Sequence, residues 1–237
     1  MTRVAPIVPA ESDLLCERCG YTLNGLPAAS NCPECGTPID ESIKSDRLPP
    51  AWEAADRSGL ATFFETSADV IVRPTHFYRT TTTRGDVERA HRFADLHWIL
   101  AALLFASTGT IHARVSFLGL PTLATFVALF IGTWLTLWLT TWAAARLTTW
   151  EANYRGIRLP INVVRRGMYY HAAHYLPVGV IALSIVGGYA IVLRYNLVGP
   201  QTITTYLYTL CAVVIVAAAY LFHTYWIGMR NMMYANR

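Results

Sequence analysis

The chain has 237 residues, 54% of them hydrophobic and 14% charged, with a positive mean hydropathy of +0.33. That is too apolar for an ordinary soluble domain and points to a membrane class. The formal charge of +4 hides an asymmetry: residues 1–95 carry fourteen acids and ten bases, whereas residues 96–237 carry nine arginines and the single acid Glu151. Such a balance speaks of topology and anionic lipid rather than of nucleic acid.

Residues 1–12 read as a disordered lead without a continuous apolar segment, so the N-terminal part is expected to stay on the side where the chain is made. Residues 13–40 form a cysteine module. Cys16-Glu17-Arg18-Cys19-Gly20 and Cys32-Pro33-Glu34-Cys35-Gly36 are two C-x-x-C pairs twelve residues apart, and four thiolates at this spacing can surround one tetrahedral ion. Gly20 and Gly36 stand where a positive φ lets amide N–H groups point at sulfur. Tyr21, Leu23, Leu26 and Ile39 are nearly all the apolar material of the module, too little to fold without a staple. Two disulfides would need export and a strained C-x-x-C loop. Iron in a rubredoxin-like knuckle would need a larger aromatic core, so structural Zn2+ is the favoured cofactor. Residues 11–41 hold six acids against Arg18, which argues against a nucleic-acid partner and for a protein contact. Cys211, the fifth cysteine, sits in an apolar run and reads as a small packing residue.

Residues 41–57, with Pro49-Pro50, read as a linker, and 58–92 as an amphipathic juxtamembrane region. There Leu60, Phe63, Phe64, Val70 and Ile71 make an apolar stripe on a short helix that Pro74 ends. The stripe suits either the lipid interface or packing on the membrane bundle. Thr80 to Thr83 make a polar turn.

A membrane domain follows at 93–230, with spans at about 93–112, 121–146, 174–195 and 203–228. Arginines alternate rich, poor, rich, poor, rich along the connections, which places both termini in the cytoplasm and the chain in the cytoplasmic (inner) membrane. Asn162 is expected to cap a surface helix over 163–175, with a bend at Pro177. Thr133, Thr136, Thr140 and Thr141, Gly187-Gly188 and Ala217 to Ala219 suit close helix contact and association with other copies. Trp134, Trp138 and Trp142 share one face, for packing or lipid contact. No Asp, Glu or Lys lies mid-membrane, which argues against a proton relay or ion pump.

His97, His171, His174 and His223 are expected at one depth, where they suit either a second metal or haem site or an interfacial belt with the nearby tyrosines and tryptophans. The sequence holds no G-x-S-x-G, H-E-x-x-H or Walker loop, so no catalytic residue is assigned.

Trp52 and Gly59, Phe64-Glu65-Thr66, the segment Val-Ile-Val-Arg-Pro-Thr-His-Phe-Tyr and Tyr175-Leu176-Pro177 resemble the Yip family of multi-span membrane proteins in its broad bacterial form. The segment Cys-Gly-Tyr-x-Leu-x-Gly-Leu-Pro with Cys-Pro-Glu-Cys-Gly is similar to zinc ribbons fused ahead of bacterial membrane domains. The family usually shows five spans where four are read here, and the resemblance implies membrane organisation or trafficking-type interactions without catalytic residues. The expectation is an all-α transmembrane helical bundle of about four spans behind a small four-cysteine zinc ribbon. It would work as a scaffold or adaptor with the lipid bilayer and a cytosolic or membrane protein as partners. A small transporter or lipid-handling protein is the first alternative, and a membrane metalloprotein using the histidines the second.

Overall fold

The structure, a computed structural model, describes residues 8–44, 47–54, 59–116, 122–197 and 199–236. Most of the lead, residues 45–46 and 55–57 of the linker, residue 58, the connection 117–121, Val198 and Arg237 lie outside the described residues. The helices are α1 (Ile39–Ile43), α2 (Gly59–Val72), α3 (Pro74–Thr80), α4 (Val87–Val115), α5 (Thr122–Tyr154), α6 (Ile161–His171), α7 (Tyr175–Arg194) and α8 (Thr202–Met232). Short 3-10 turns occupy Ala51–Glu53 and Ala172–His174. Among the described residues there is no strand, only three isolated bridges. Four stretches are long and apolar enough to cross a membrane: α4, α5, the run Ile161–Arg194 and α8. The protein is therefore an all-helical, multi-pass membrane protein behind a cysteine cluster.

The helices outrun the apolar windows that mark them. α5 has 33 residues, about 50 Å at 1.5 Å per residue, against a hydrocarbon core of about 30 Å. Hydropathy registers only the part that lipid solvates. The helix expected over 163–175 begins instead at Ile161 and ends at His171, because the Pro160 carbonyl accepts from the N–H groups of Val163 and Val164 at 3.0 and 3.2 Å. Asn162 is thus inside the first turn rather than at the cap. The break falls at the 3-10 turn, and Pro177 sits in the first turn of α7, where its missing N–H removes no helix bond.

The chain divides into two compact units: Met1–Phe93 with Thr141–His171 and Tyr225–Arg237, and Ala94–Thr140 with Ala172–Thr224. The first unit carries seventeen of the nineteen basic residues and all acids but Asp95. Its aromatic core centres on Trp52, whose ring centroid is 5.9 Å from both Phe63 and Phe93 and whose indole N–H donates to the Arg89 carbonyl at 2.7 Å. Phe93 continues the cluster to Tyr170, and Tyr170 to Phe77.

This core divides the stripe expected on α2. Phe63 and Val70 are buried, but Leu60 and Phe64 are 77% and 67% exposed, and Thr62, Thr66 and Ser67 face inward instead. The threonine–serine side is preferred because it satisfies polar groups there. Thr66 Oγ1 accepts the Trp52 N–H at 3.0 Å, and the Ser67 hydroxyl donates to the Phe63 carbonyl at 2.6 Å. Pro74 does end α2 and also starts α3 as its first residue.

The linker is pinned rather than loose in its described part. Leu48 pairs with the polar turn, its N–H donating to the Thr80 carbonyl and its carbonyl accepting from Thr82. Glu53 is more deeply committed. Its carboxylate meets the Arg166 guanidinium in a two-pronged ion pair, 2.8 Å to Nε and 3.0 Å to Nη2, with side chains 3% and 0% exposed. The Asp86 N–H and the Tyr170 hydroxyl donate to the same carboxylate, and the Thr82 carbonyl accepts from Arg166. Gly85 is what lets the guanidinium in: a Cβ there would lie 2.5 Å from it. Gly85→Ala is expected to lower stability by about 1–3 kcal/mol, read as an earlier thermal transition of the detergent-solubilised protein.

In the second unit α4 is the most enclosed helix. Ala94, His97, Trp98, Ala101, Ala102, Ala106 and Thr110 are buried along one face at helical spacing. Its alanines allow the close approach that apolar helices use where lipid competes for larger side chains. Gly179 on α7 meets the Leu104 side chain, and Gly109 meets Leu129 on α5. Trp138 and Trp142 point outward, 41% and 50% exposed, and Thr136 and Thr140 donate to their own helix carbonyls at 2.7 Å.

Candidate metal centre

The two cysteine pairs fold as two copies of one knuckle. In the first, the Cys16 N–H donates to the Tyr21 carbonyl, the Gly20 N–H to Cys16 and the Leu23 N–H to Leu14. Sixteen residues later the Cys32 N–H donates to Thr37, Gly36 to Cys32 and Ile39 to Ser30. The bridges Leu15–Thr22 and Asn31–Pro38 obey the same offset, and Gly20 and Gly36 turn each knuckle at φ of 80° and 71°. The left-handed turn is what aims backbone amides back at sulfur. Leu23 and Ile39 pack with Cys16 and Cys32, with Leu14 at the margin, while Tyr21 and Leu26 are 38% and 36% exposed.

The sulfurs of Cys16 and Cys35 are 3.5 Å apart, those of Cys19 and Cys32 3.6 Å, and all four lie within 4.8 Å of one another. A tetrahedral zinc–thiolate centre with bonds of about 2.3 Å has sulfur–sulfur edges of roughly 3.8 Å, whereas a disulfide spans about 2.05 Å. All four are free thiols. The residues therefore fit a tetrahedral cation and not two disulfides. Thr37, through its hydroxyl 3.3 Å from sulfur and its backbone N–H, draws the Cys35 thiol down to about 6, while burial pushes Cys19 up to about 12 and Cys16 upward. Burial favours the protonated form at Cys16 and Cys19, so cation uptake there displaces protons and strengthens as pH rises.

The ribbon is stitched to distant parts of its own unit. Asn236, beyond α8, reads the outer edge of the first knuckle: its Oδ1 accepts the Leu15 N–H and its Nδ2 donates to the Leu15 carbonyl, both at 2.8 Å. Its backbone N–H donates to Glu17 at 3.1 Å. The Tyr234 ring lies against Gly20, where a Cβ would collide with it. Arg47, its side chain 4% exposed, joins Glu17 at 3.0 Å and donates to the carbonyls of Tyr78, Thr81 and Asn231. Arg158 donates to the Ala10 and Asp13 carbonyls at 2.5 and 2.7 Å. Asn236→Ala is expected to remove roughly 1–3 kcal/mol of local protection, read as faster hydrogen exchange at the Leu15 amide with metal content unchanged.

No protein-family profile matches this chain, and neither a curated protein nor a solved structure matches it. The centre is described by its own chemistry.

Among the described residues the four cysteines are the one group of three or more His, Cys, Asp or Glu side chains whose ligand atoms converge. His97, His171, His174 and His223 make no such group. His174 Nδ1 is 2.7 Å from the Tyr220 hydroxyl, His171 meets the Tyr225 ring edge-on, His97 is buried and His223 is exposed. A shared depth along helices does not fix a shared direction around them. The residues that sequence reasoning missed are those that clamp the ribbon: Asn236, Tyr234, Arg47 and Arg158. For Tyr234 and Asn236 the one signal was a polar Tyr-Ala-Asn segment after an apolar helix; Arg47 and Arg158 carried none.

Proposed function

We propose that the protein is an integral scaffold of the cytoplasmic membrane that presents a Zn2+-loaded ribbon, held by Cys16, Cys19, Cys32 and Cys35, to a protein partner. The observation that carries this reading is that four protein thiolates fill a tetrahedral shell. A site of that kind is closed, leaves no position for a substrate and acts by holding shape. Zinc is the ion because a four-thiolate tetrahedron suits it and the short ribbon lacks the aromatic core of an iron knuckle. The arginine-rich first unit supports cytoplasmic termini, since Arg114 and Arg194 are the only bases in the second. The Yip-like segments point the same way, toward membrane organisation. Partner capture by the intact protein is compared with that by Cys32→Ser/Cys35→Ser, both reconstituted in lipid nanodiscs. Selective loss of partners from the variant is the expected result; equal retention by both ends the adaptor reading.

A second reading rests on a recess of about 610 Å3 in the second unit, lined by Ile185, Tyr189, Pro200, Thr202, Tyr206 and Thr209. Tyr206 stacks on Tyr189 and lies 2.6 Å from His112 Nδ1, giving the recess an aromatic wall with a polar edge. It favours a lipid-handling or transport role. Solute flux or lipid exchange in reconstituted vesicles separates the two readings, since a scaffold supports neither.

A further inference from the structure

The repeat inside the ribbon gives it two related faces, and among the described residues only the first is occupied. On the first, the chain's own segment after α8 is the occupant: Asn236 brackets the outward N–H and carbonyl of Leu15, and the Tyr234 ring covers the bare backbone at Gly20. The sixteen-residue offset maps Leu15 onto Asn31 and Gly20 onto Gly36. Asn31 is exposed and, among the described residues, nothing pairs with its outward backbone groups; a Cβ built on Gly36 meets nothing within 4 Å. The second knuckle thus repeats, in the open, a docking edge whose complement is already drawn once in the same molecule.

We propose that the second knuckle, Asn31 to Thr37, is a docking surface for an extended segment of a partner protein carrying an aromatic residue and, two positions later, an asparagine. The proposal rests on the adaptor reading and names what the ribbon would recognise. The aromatic ring would lie flat over Gly36, where a side chain on the ribbon would exclude it. The carboxamide would bracket the Asn31 N–H and carbonyl, using one acceptor and one donor at the spacing that Asn236 uses on Leu15. An aspartate cannot replace it, because a carboxylate offers no donor.

The two faces differ where their sequences differ, and the difference sets the partner's charge. Glu17, which accepts the Asn236 backbone N–H, maps onto Pro33, and Arg18 maps onto Glu34. The second face therefore lacks the Glu17 acceptor and any counterpart of the Ser42 carbonyl, which also accepts from Asn236, and it offers an exposed carboxylate instead. A basic residue beside the asparagine meets Glu34, and a weaker, exchangeable complex follows. That suits contact between molecules, while the stronger face keeps the intramolecular strap. Pro33 also stiffens the knuckle, so little order is lost when a partner docks.

The probe is the peptide Asn-Met-Met-Tyr-Ala-Asn-Arg with benzoylphenylalanine in place of its tyrosine, added to metal-loaded full-length protein in nanodiscs. Saturable binding with crosslinks to residues 31–37 is the expected result. Replacing the aromatic residue by alanine, or the second asparagine by aspartate, is expected to weaken binding roughly tenfold. On the protein side Glu34→Arg should weaken it severalfold without loss of metal. Crosslinks confined to residues 14–21 would mean that the peptide merely exchanges with the built-in strap, and would overturn the assignment, as would absence of saturable binding. A concentration-dependent dimer holding a neighbour's Tyr234 on the second knuckle would replace the partner by a second copy and equally overturn it. Ribbon-dependent partner capture with no peptide at residues 31–37 would sink this assignment alone and leave the adaptor reading standing.

Discussion

Chelating the metal, or making Cys32→Ser with Cys35→Ser, is expected to unfold the ribbon and to release the segment after α8 with it. The ribbon's apolar core beyond its cysteines is Leu23 and Ile39, with Leu14 at its margin. Each such side chain contributes at most about 1.5–3 kcal/mol when buried. Ordering the backbone of the module costs more than these few side chains return. Apolar burial alone therefore falls far short, and metal binding is what makes folding of so small a module favourable. When the knuckles open, Leu15 no longer presents a paired edge and Gly20 no longer seats Tyr234. The strap loses its anchor by geometry, not by any contact with the metal. Hydrogen exchange should show the amides of Cys16, Leu23, Cys32 and Ile39 losing protection together, with restoration on adding metal back. Amides that stay protected without metal would mean that the strap, rather than the ion, holds the ribbon.

The cysteine module was legible because its constraint is local. Four thiols and two glycines at fixed spacing admit one tetrahedral arrangement, and the structure places all four sulfurs accordingly. The membrane helices were legible for a similar reason, since lipid demands about twenty apolar residues in a row whatever packs beside them. Local rules were silent on the rest. Leu60 and Phe64 matched the apolar stripe of α2, yet the face that packs is the one whose Thr66 and Ser67 satisfy backbone groups. Trp52 and Glu53 lay in a stretch read as linker, and their partners Arg89, Asp86, Arg166 and Tyr170 are 33 to 117 residues away. No periodicity announces a pairing of that kind. The strap was invisible for the same reason: Asn236 and Leu15 stand 221 positions apart.

Removing the Glu53 carboxylate is expected to be the most damaging single change outside the ribbon. With side chains 3% and 0% exposed, Glu53 and Arg166 have exchanged water for each other. Glu53→Ala leaves the guanidinium, among the described residues, with the Thr82 carbonyl and the face of the Tyr170 ring, and strands the Asp86 N–H and the Tyr170 hydroxyl. A buried pair broken on one side costs about 3–5 kcal/mol, because the surviving charge has no solvent. Arg166→Met should cost a similar amount, for it leaves the carboxylate with neutral donors alone. The pair itself is another matter, since attraction in the interior largely offsets the desolvation of both ions. Glu53→Ala with Arg166→Met should therefore fall short of the sum of the two single changes by roughly 2–3 kcal/mol. Chemical unfolding in detergent, followed by tryptophan fluorescence, measures each corner of that cycle. A Glu53→Ala protein within about 1 kcal/mol of the parent would show that water reaches Arg166. The expected pattern instead makes the pair a specificity device. It fixes the turn at Ala51–Glu53, the loop at Thr82 to Asp86 and α6 in one arrangement, and any other packing of these three segments would bury an ion alone.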